Sequence, residues 1–500
     1  MNVSRRWFIG GSASLGALQG CRVFTDTFGL NRSGTPELRF GAISDVHIIN
    51  QNVDRGTGGS ARTFEHALRW YDAQGVDAVL IAGDIVDVGL VSEMQVVADT
   101  WYKVFPNDRS TIDGRKVEKL FIYGNHDWEG HHYGYTVYGM PSKKLRDDWI
   151  SDFGTKKTWE RMFHEEYAPI NHKTIKGYDF IGTQWDGNAG VTWSEMPAMP
   201  AYFAENGKKL DPSKPFFYYQ HPHPRGTCHG PKAWGQDNGK STRTLSKYPN
   251  AIAFSGHSHH SLVDERAIWQ GSFTSLGTGS LRYFGGPWGD FPEGFENGGG
   301  GPNQAGKSMP VIRKTNARNG LLVSVFDDSV SFRRHDFYND DDLGPDWVMP
   351  LPSAESMPFA SASRVASSPS VEFVQGAKVS VRKSKALNRK GMGVELKKES
   401  ERKNYMKDAL VVKFPAARQT FEKRAFRYDV LVESKTGDKS KLKRVISEDC
   451  HRPVKCAVKD YTIAFFLDEL KDFGEVRVKV TPYNAFGKAG RALESVFVKV

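Results

Sequence analysis

Five short groups of Asp, Asn and His side chains stand out because each directly follows an apolar run. These residue types can bind a metal cation or transfer a proton. A lone histidine is usually a satisfied polar residue, but packing gives no reason for five such groups. Burying them together without a cation would also be costly. The groups are Asp45-Val46-His47, Gly83-Asp84, Gly124-Asn125-His126-Asp127, His221-Pro222-His223 and Gly256-His257-Ser258-His259.

The apolar runs before these groups predict buried strands, and helical spacing appears between the first three of them. In open α/β sheets, binding sites form just beyond the carboxyl ends of the strands, so we expect the five groups to meet. The pattern therefore predicts an α/β domain with one polar site. The predicted strands are 38–44, 78–82, 120–123, 215–220 and 251–255, and the predicted helices are 61–74 and 91–105.

The order of the five groups, across residues 38–263, resembles that of the calcineurin-like metallophosphoesterase superfamily. The resemblance implies an α/β fold of the αββα metallophosphoesterase sandwich type and a site for two metal ions. It also implies that Asp84 bridges the two metals. By position, the first metal would be held by Asp45, His47, Asp84 and His259, and the second by Asp84, Asn125, His221 and His257.

The same resemblance implies catalytic roles for two more residues. His126 would protonate the leaving oxygen or stabilise the transition state, and Asp127 would orient it by accepting its other ring proton. His221 is preferred to His223 as a ligand because it directly follows its strand, although the two could exchange roles. His223 would otherwise support a ligand or face the substrate. Arg225 is either a phosphate-binding residue or an ordinary surface arginine.

Carboxylate and amide oxygens beside imidazoles suit two divalent or trivalent transition-metal ions such as Mn, Fe or Zn. Asp87 occupies the position where purple acid phosphatases carry a tyrosine, which disfavours the iron–tyrosinate variant. We therefore expect an exported hydrolase that cleaves phosphate mono- or diesters through a metal-bridging hydroxide. The alternative is a non-catalytic envelope-binding module that uses the fold as a scaffold. No ligand position is lost, which favours the enzyme.

The N-terminus has the pattern of a targeting segment. The stretch Ser4-Arg5-Arg6-Trp7-Phe8-Ile9, followed by a run rich in small residues, resembles a bacterial Tat-type signal, which we place at residues 1–21. The run ends at Cys21 in a sequence that also resembles a lipoprotein cleavage box, with an unusual Gln19. Lipidation of Cys21 and its absence both stay open. We expect the bacterial periplasm or cell envelope, with lipidation as the sole link to a membrane.

The rest of the chain divides by composition. Residues 37–350 would form the metallophosphoesterase domain, and the Ser/Pro/Ala-rich stretch 351–375 a linker. Short alternating strands in 376–500 predict an all-β sandwich, and 475–490 resembles the last two strands of a fibronectin type III domain. Cys450 and Cys456 are close enough in sequence for a disulfide, with two free thiols as the alternative. The Gly-rich stretch 275–319 is expected to be a loop near the site entrance.

Charge is distributed unevenly along the chain. Residues 376–500 hold 30 Lys and Arg against 16 Asp and Glu, a net +14, which leaves −4 for the rest because the whole chain carries +10. A nuclease groove usually needs a positive field, so nucleic acid is not the expected partner of the site. The expected partner is a small phosphate ester. The basic C-terminal region could contact envelope polymers, although a solvated basic face is the simpler reading.

Overall fold

The structure of the chain is a computed structural model. It describes residues 34–49, 61–87, 89–127, 155–185, 196, 198–231, 233–284, 317–353, 355–388 and 405–500. The predicted signal at 1–21 lies outside these residues. Within them, no helix is long and apolar enough to cross a membrane.

The described part of 38–350 alternates strands and helices before it ends in a run of strands. The helices are α1 (Ala61–Ala73), α2 (Val91–Val104), α3 (Thr155–Phe163), α4 (Ala198–Asn206) and α5 (Lys240–Leu245). The strands are β1 (Leu38–Ile43), β2 (Ala78–Ala82), β3 (Glu118–Ile122), β4 (Ile170–Ile175), β5 (Tyr178–Thr183), β6 (Phe216–Tyr219), β7 (Ala251–Ser255), β8 (Ile268–Gln270), β9 (Thr274–Gly277), β10 (Asn319–Val325), β11 (Ser329–Asp336), β12 (Asp341–Asp342) and β13 (Trp347–Pro350).

These strands form two mixed sheets that pack face to face. The first sheet has the order β12-β11-β10-β1-β2-β3, with β13 beside β11, and the second has the order β4-β5-β6-β7-β9-β8. Phe40 of β1 meets Phe180 and Phe217 of the second sheet, with ring centroids 5.1 and 4.9 Å apart. Because strands on both sheets are buried on two faces, they are apolar without alternation, as expected for parallel strands.

Helices cover the outer faces of both sheets. Trp101 of α2 packs edge-on against Phe121 of β3 at 5.1 Å, and Phe203 of α4 contacts Phe216 of β6 at 6.0 Å. β1, β2 and β3 run parallel to one another, as do β5, β6, β7 and β9. The polar groups of the sequence therefore follow the carboxyl ends of neighbouring parallel strands.

The C-terminal region is all-β apart from short turns. Its two antiparallel sheets have the orders β14-β15-β18 and β17-β16-β19-β20, with β21 also beside β19. Alternate residues such as Val430, Val432, Val478 and Val480 point into a common core. The predicted fold class, α/β with an all-β C-terminal region, is confirmed. The strands are β14 (Ser380–Leu387), β15 (Met406–Pro415), β16 (Arg427–Ser434), β17 (Ser440–Ile446), β18 (Asp460–Phe466), β19 (Glu475–Tyr483), β20 (Leu493–Glu494) and β21 (Val498–Lys499).

The stretch predicted to be a linker makes defined contacts with both regions. It contains the helix α6 (Ser361–Ser367). Phe359 is buried in the core between the two sheets, and Val371 is buried in the C-terminal core. Asn484 of the C-terminal region donates to Ser368 Oγ at 2.9 Å. Cys450 and Cys456 are both free thiols in the structure, which therefore agrees with the alternative of two free thiols and not with a disulfide.

Glu265 joins the linker to the first region and provides a stability prediction. Its carboxylate contacts Arg364 of α6, accepts from Arg334 at 2.7 Å, and accepts from Trp347 Nε1 at 3.0 Å. Glu265→Ala is expected to lower the unfolding free energy in urea by about 1–3 kcal/mol, because Arg334 is buried and loses a charged partner. Glu433→Ala, which removes a surface pair with Arg477, is the control and should cost about 0–1 kcal/mol.

The difference in unfolding free energy between wild type and Glu265→Ala should also depend on pH. Burial raises the pKa of Glu265, but Arg334 and Arg364 outweigh it and hold the pKa below its ordinary value of 4.5. A lowered carboxyl pKa stabilises the fold above the unfolded value, and this stabilisation is lost as pH falls through the folded value. The difference between wild type and Glu265→Ala should therefore shrink below about pH 4.5. A difference that grows on acidification would contradict this assignment.

Candidate metal centre

The loops after four strands, β1, β2, β6 and β7, bring potential metal ligands together in two groups that share Asp84. In each group, one ligand atom per residue lies within 4.8 Å of all the others. Both groups are buried, and no residue in them is more than 7% exposed. The structure thus brings together the residues that the sequence assigned to each metal, apart from Asn125. The groups are Asp45, His47, Asp84 and His259, and Asp84, His221 and His257.

Asn125, the remaining predicted ligand, directly follows the glycine that ends the β3 segment. It is 1% exposed, and its Oδ1 has no hydrogen-bond partner among the described residues. A buried carbonyl oxygen without a partner is costly unless something else satisfies it. A cation would do so.

The backbone at five of these residues is left-handed, which is rare for residues other than glycine. Such conformations cost about 1–3 kcal/mol each and persist only where surrounding contacts enforce them. Here the backbone N–H groups of Asp45 and His47 donate to the carbonyls of Gly83 and Asp84 at 3.1 and 3.0 Å. The φ angles are 51° at Asp45, 48° at His47, 50° at Asp84, 68° at His257 and 53° at His259.

Two glycines leave the space that these side chains fill. A Cβ on Gly124 would lie 2.3 Å from Asp84 Oδ1, and one on Gly83 would lie 2.4 Å from His221 Nδ1. Gly83 also has a φ of 85°. Any side chain at either position would displace a predicted ligand, so the glycines before the ligands are part of the site.

Hydrogen bonds at Nδ1 orient three of the histidines. His221 Nδ1 donates to the Ala82 carbonyl at 2.8 Å, and His259 Nδ1 donates to the Tyr283 carbonyl at 3.0 Å. His47 Nδ1 lies 3.2 Å from the carboxylate of Asp87. These bonds leave each Nε2 directed at a carboxylate, an arrangement that raises the basicity of a metal-binding imidazole.

The electrostatics suit cation binding. Burial and the neighbouring His126 hold the pKa of His47 well below its ordinary value, and burial with the neighbouring His221 lowers that of His257 to about 3, so both rings are neutral. Burial opposes ionisation of Asp84, but His221 and His126 outweigh it and hold the Asp84 pKa well below its ordinary value.

Burial opposes protonation of His221 and His259, but Asp84 raises the pKa of His221 to about 9 and Asp45 raises the pKa of His259 above its ordinary value. A cation would therefore displace a proton from each of these two rings when it binds. The residues present therefore fit a two-metal centre.

His126 lies at the edge of this cluster and is half-buried. Its Nδ1 donates to the backbone carbonyl of Asp87 at 2.7 Å, and its ring centroid is 4.5 Å from that of His47. The bond at Nδ1 fixes the ring, and its position beside the cluster suits a group that acts on the substrate.

The expected hydrogen bond between Asp127 and His126 is absent from the structure, which corrects that prediction. The carboxylate of Asp127 instead accepts from three backbone N–H groups, those of Gly124, Val86 and Ile85, at 2.7, 2.9 and 3.2 Å. It therefore ties the loop after β3 to the loop after β2. Burial and the Asp84 charge raise its pKa to about 7, although the three backbone bonds oppose this.

The two residues left open by the sequence are outside the cluster. His223 is buried, and both of its ring nitrogens lie 2.6 Å from serine hydroxyls, those of Ser255 and Ser258. It thus supports the loop after β7, which favours His221 as the ligand. Arg225 is exposed, and its backbone N–H donates to Asp237. The structure therefore favours the alternative of an ordinary surface arginine.

Sequence reasoning missed Arg282 and Tyr283. Arg282 contacts the Asp87 carboxylate that faces His47, and the Tyr283 ring stacks on His259 with centroids 4.3 Å apart. Trp234 similarly stacks on His257 at 4.7 Å. The one sequence signal that pointed to these two residues was the Gly-rich stretch 275–319, which was predicted to lie near the site entrance. Arg282 and Tyr283 belong to the described beginning of this stretch, shortly after β9.

The fold and these side chains together form an α/β domain with a buried cluster that could hold metal ions. Residues 38–261 match the model of the calcineurin-like phosphoesterase family, which identifies this stretch as a calcineurin-like metallophosphoesterase domain. The match stops well before the C-terminal all-β region. No curated protein matches the chain.

Three solved structures are among those to which part of this chain is similar. A dimetal phosphatase from Danio rerio is 11% identical, with 63% of this chain and 99% of that chain covered and a TM-score of 0.35. A purple acid phosphatase from yellow lupin is 13% identical, covers 63% and 54%, and has a TM-score of 0.37. An archaeal phosphodiesterase is 9% identical, covers 62% and 99%, and has a TM-score of 0.24. Similarity at this level says nothing further about the present chain.

Proposed function

We propose that the chain hydrolyses phosphate esters at a centre of two transition-metal ions. The observation that carries this proposal is the sharing of Asp84 between two buried ligand groups. The Oδ1 of Asn125, which is buried without a hydrogen-bond partner among the described residues, adds to it. A shared carboxylate suits cations roughly 3.5–4 Å apart, as in two-metal phosphatases. Such ions polarise the phosphoryl group and activate a water molecule at neutral pH.

The chain's own residues would hold and orient the reacting groups. One cation would be held by Asp45, His47, Asp84 and His259, and the other by Asp84 with Asn125, His221 and His257. His126 would donate a proton to the leaving oxygen or a hydrogen bond to the transition state, with its ring fixed by the Asp87 carbonyl. Arg282 neutralises Asp87, which in turn steadies the ring of His47.

Export and the C-terminal region complete the proposal. The twin-arginine pattern at Ser4–Phe8 supports export. The two antiparallel sheets of the C-terminal region, with the orders β14-β15-β18 and β17-β16-β19-β20, support a fibronectin type III-like sandwich. We propose a periplasmic or envelope location, a small phosphate ester as substrate, and contact of the basic sandwich with envelope polymers.

The test is turnover by the purified full chain. After chelation and reloading with Mn²⁺, Fe²⁺ or Zn²⁺, the protein is assayed against a panel of phosphate monoesters and diesters, with metal content measured in parallel. Activity should vanish on chelation and return on reloading with about two ions per chain. If the chain bound two ions but hydrolysed none of the esters, the proposed enzymatic activity would be wrong and the alternative of a non-catalytic envelope-binding module would be favoured.

A further inference from the structure

The segment Ser280–Phe284 supports His259 from several directions. Ser280 Oγ lies 3.2 Å from His259 Nδ1, and the Tyr283 carbonyl accepts from the same nitrogen at 3.0 Å. The Tyr283 ring stacks on the imidazole with an interplanar angle of 26°. The orientation of His259 therefore depends on the conformation of this segment.

The last residue of this segment contacts the C-terminal region. Phe284 is 2% exposed, and its ring centroid lies 5.7 Å from that of His451, which is also 2% exposed. His451 belongs to neither the metal cluster nor the matched domain. The contact places a C-terminal side chain against the residue that directly follows Tyr283, whose ring stacks on His259.

The loop that carries His451 is held by its own sandwich. Ser447 Oγ accepts from the Asp449 N–H at 3.2 Å and lies 3.1 Å from the Tyr461 hydroxyl. Asp449 Oδ1 accepts from Val458 N–H at 2.9 Å, and Arg424 donates to the Asp449 carbonyl at 3.0 Å. Because both sides of the loop are fixed, His451 presents a rigid surface to Phe284.

We propose that the C-terminal region completes the metal centre, with His451 and Phe284 acting as positioning residues for His259. The proposal rests on the proposed function only in requiring that the site binds cations. Groups that directly contact a metal-binding histidine typically change metal affinity about 10–100-fold when they are removed. His451 acts through Phe284 and Tyr283, so His451→Ala should weaken one of two cation-binding steps about 10-fold, the lower end of that range, and leave the other unchanged.

The same loop offers a matched control. Lys455 also joins the two regions, with Nζ 3.3 Å from the Asp340 carbonyl and 3.4 Å from the Asp341 carboxylate, but it is half-exposed and contacts the β11–β12 turn rather than the site. Lys455→Ala removes a contact between the regions without touching Phe284. Its cation binding should equal that of the wild type.

The experiment is a calorimetric titration of the metal-free full chain with Mn²⁺, with melting temperature recorded for each variant. Phe284→Leu should reproduce the affinity loss from the other side of the contact, and His451→Phe, which keeps a ring, should restore affinity. Unchanged binding by His451→Ala, or equal losses in His451→Ala and Lys455→Ala, would overturn the proposal alone. A wild type that binds none of Mn²⁺, Fe²⁺ and Zn²⁺ when each is titrated in this way would overturn the proposed function and this inference together.

Discussion

Asp84→Asn is expected to abolish phosphoester hydrolysis and to reduce the metal content of the purified chain from about two ions to less than one. The reason is geometric, because Asp84 Oδ2 lies 3.1 Å from His221 Nε2 and 3.6 Å from His47 Nε2, between the two ligand groups. The neutral amide keeps the shape but removes the negative charge that both cations share. Metal analysis and turnover of a chromogenic phosphate ester measure the result.

Asp127→Asn provides the matched control for Asp84→Asn. It changes an equally buried carboxylate that accepts only from backbone N–H groups and belongs to neither ligand group. We expect it to keep both ions while losing some stability. If Asp84→Asn kept two ions and full activity, the shared-ligand assignment would be wrong.

His126→Ala should separate chemistry from metal binding. We expect two ions to stay bound while turnover falls by about 10²–10⁴, the usual contribution of a general acid or base. The expectation follows from the position of His126, which is half-buried at the edge of the cluster and oriented by the Asp87 carbonyl. The measurement is kcat alongside metal content.

His164→Ala serves as the control for His126→Ala, since His164 stacks on Tyr102 and has no contact with the cluster among the described residues. It should turn over at the wild-type rate. A leaving group of low pKa, such as a nitrophenolate, needs less protonation, so the defect of His126→Ala should be smaller with that ester. Loss of metal in His126→Ala would contradict its assignment as a proton donor.

The strands before the site were predictable because their residues are apolar on both faces. β2 and β7 have the predicted bounds, 78–82 and 251–255, and β1 ends one residue early. β4 was missed because its sequence, Ile-Asn-His-Lys-Thr-Ile, has no apolar alternation and its strand is mostly exposed or half-buried. Edge strands of this kind carry little pattern in their sequence.

The candidate ligands of the metal cluster were predictable from the sequence, but the residues that hold these ligands and their loops in place were not. Asp87 and Arg282 contact each other across 195 residues of chain, and only the folded structure brings them together. The role of Asp127 as a partner of His126 came from the family resemblance. The three backbone N–H groups that Asp127 accepts from become visible only once the loops after β2 and β3 are placed side by side.

The ligands of the metal centre come from both sheets of the sandwich. Asp45 and Asp84 follow strands of the first sheet, His221 and His257 follow strands of the second, and the His257 N–H donates to Asp45 Oδ2 across 212 residues of chain. Bringing residues together from such distant parts of the chain is slow, because the loop-closure entropy must be overcome before the contacts form. A cation that binds only the folded site would link the two sheets, and it would stabilise the native state by an amount that grows with the free cation concentration.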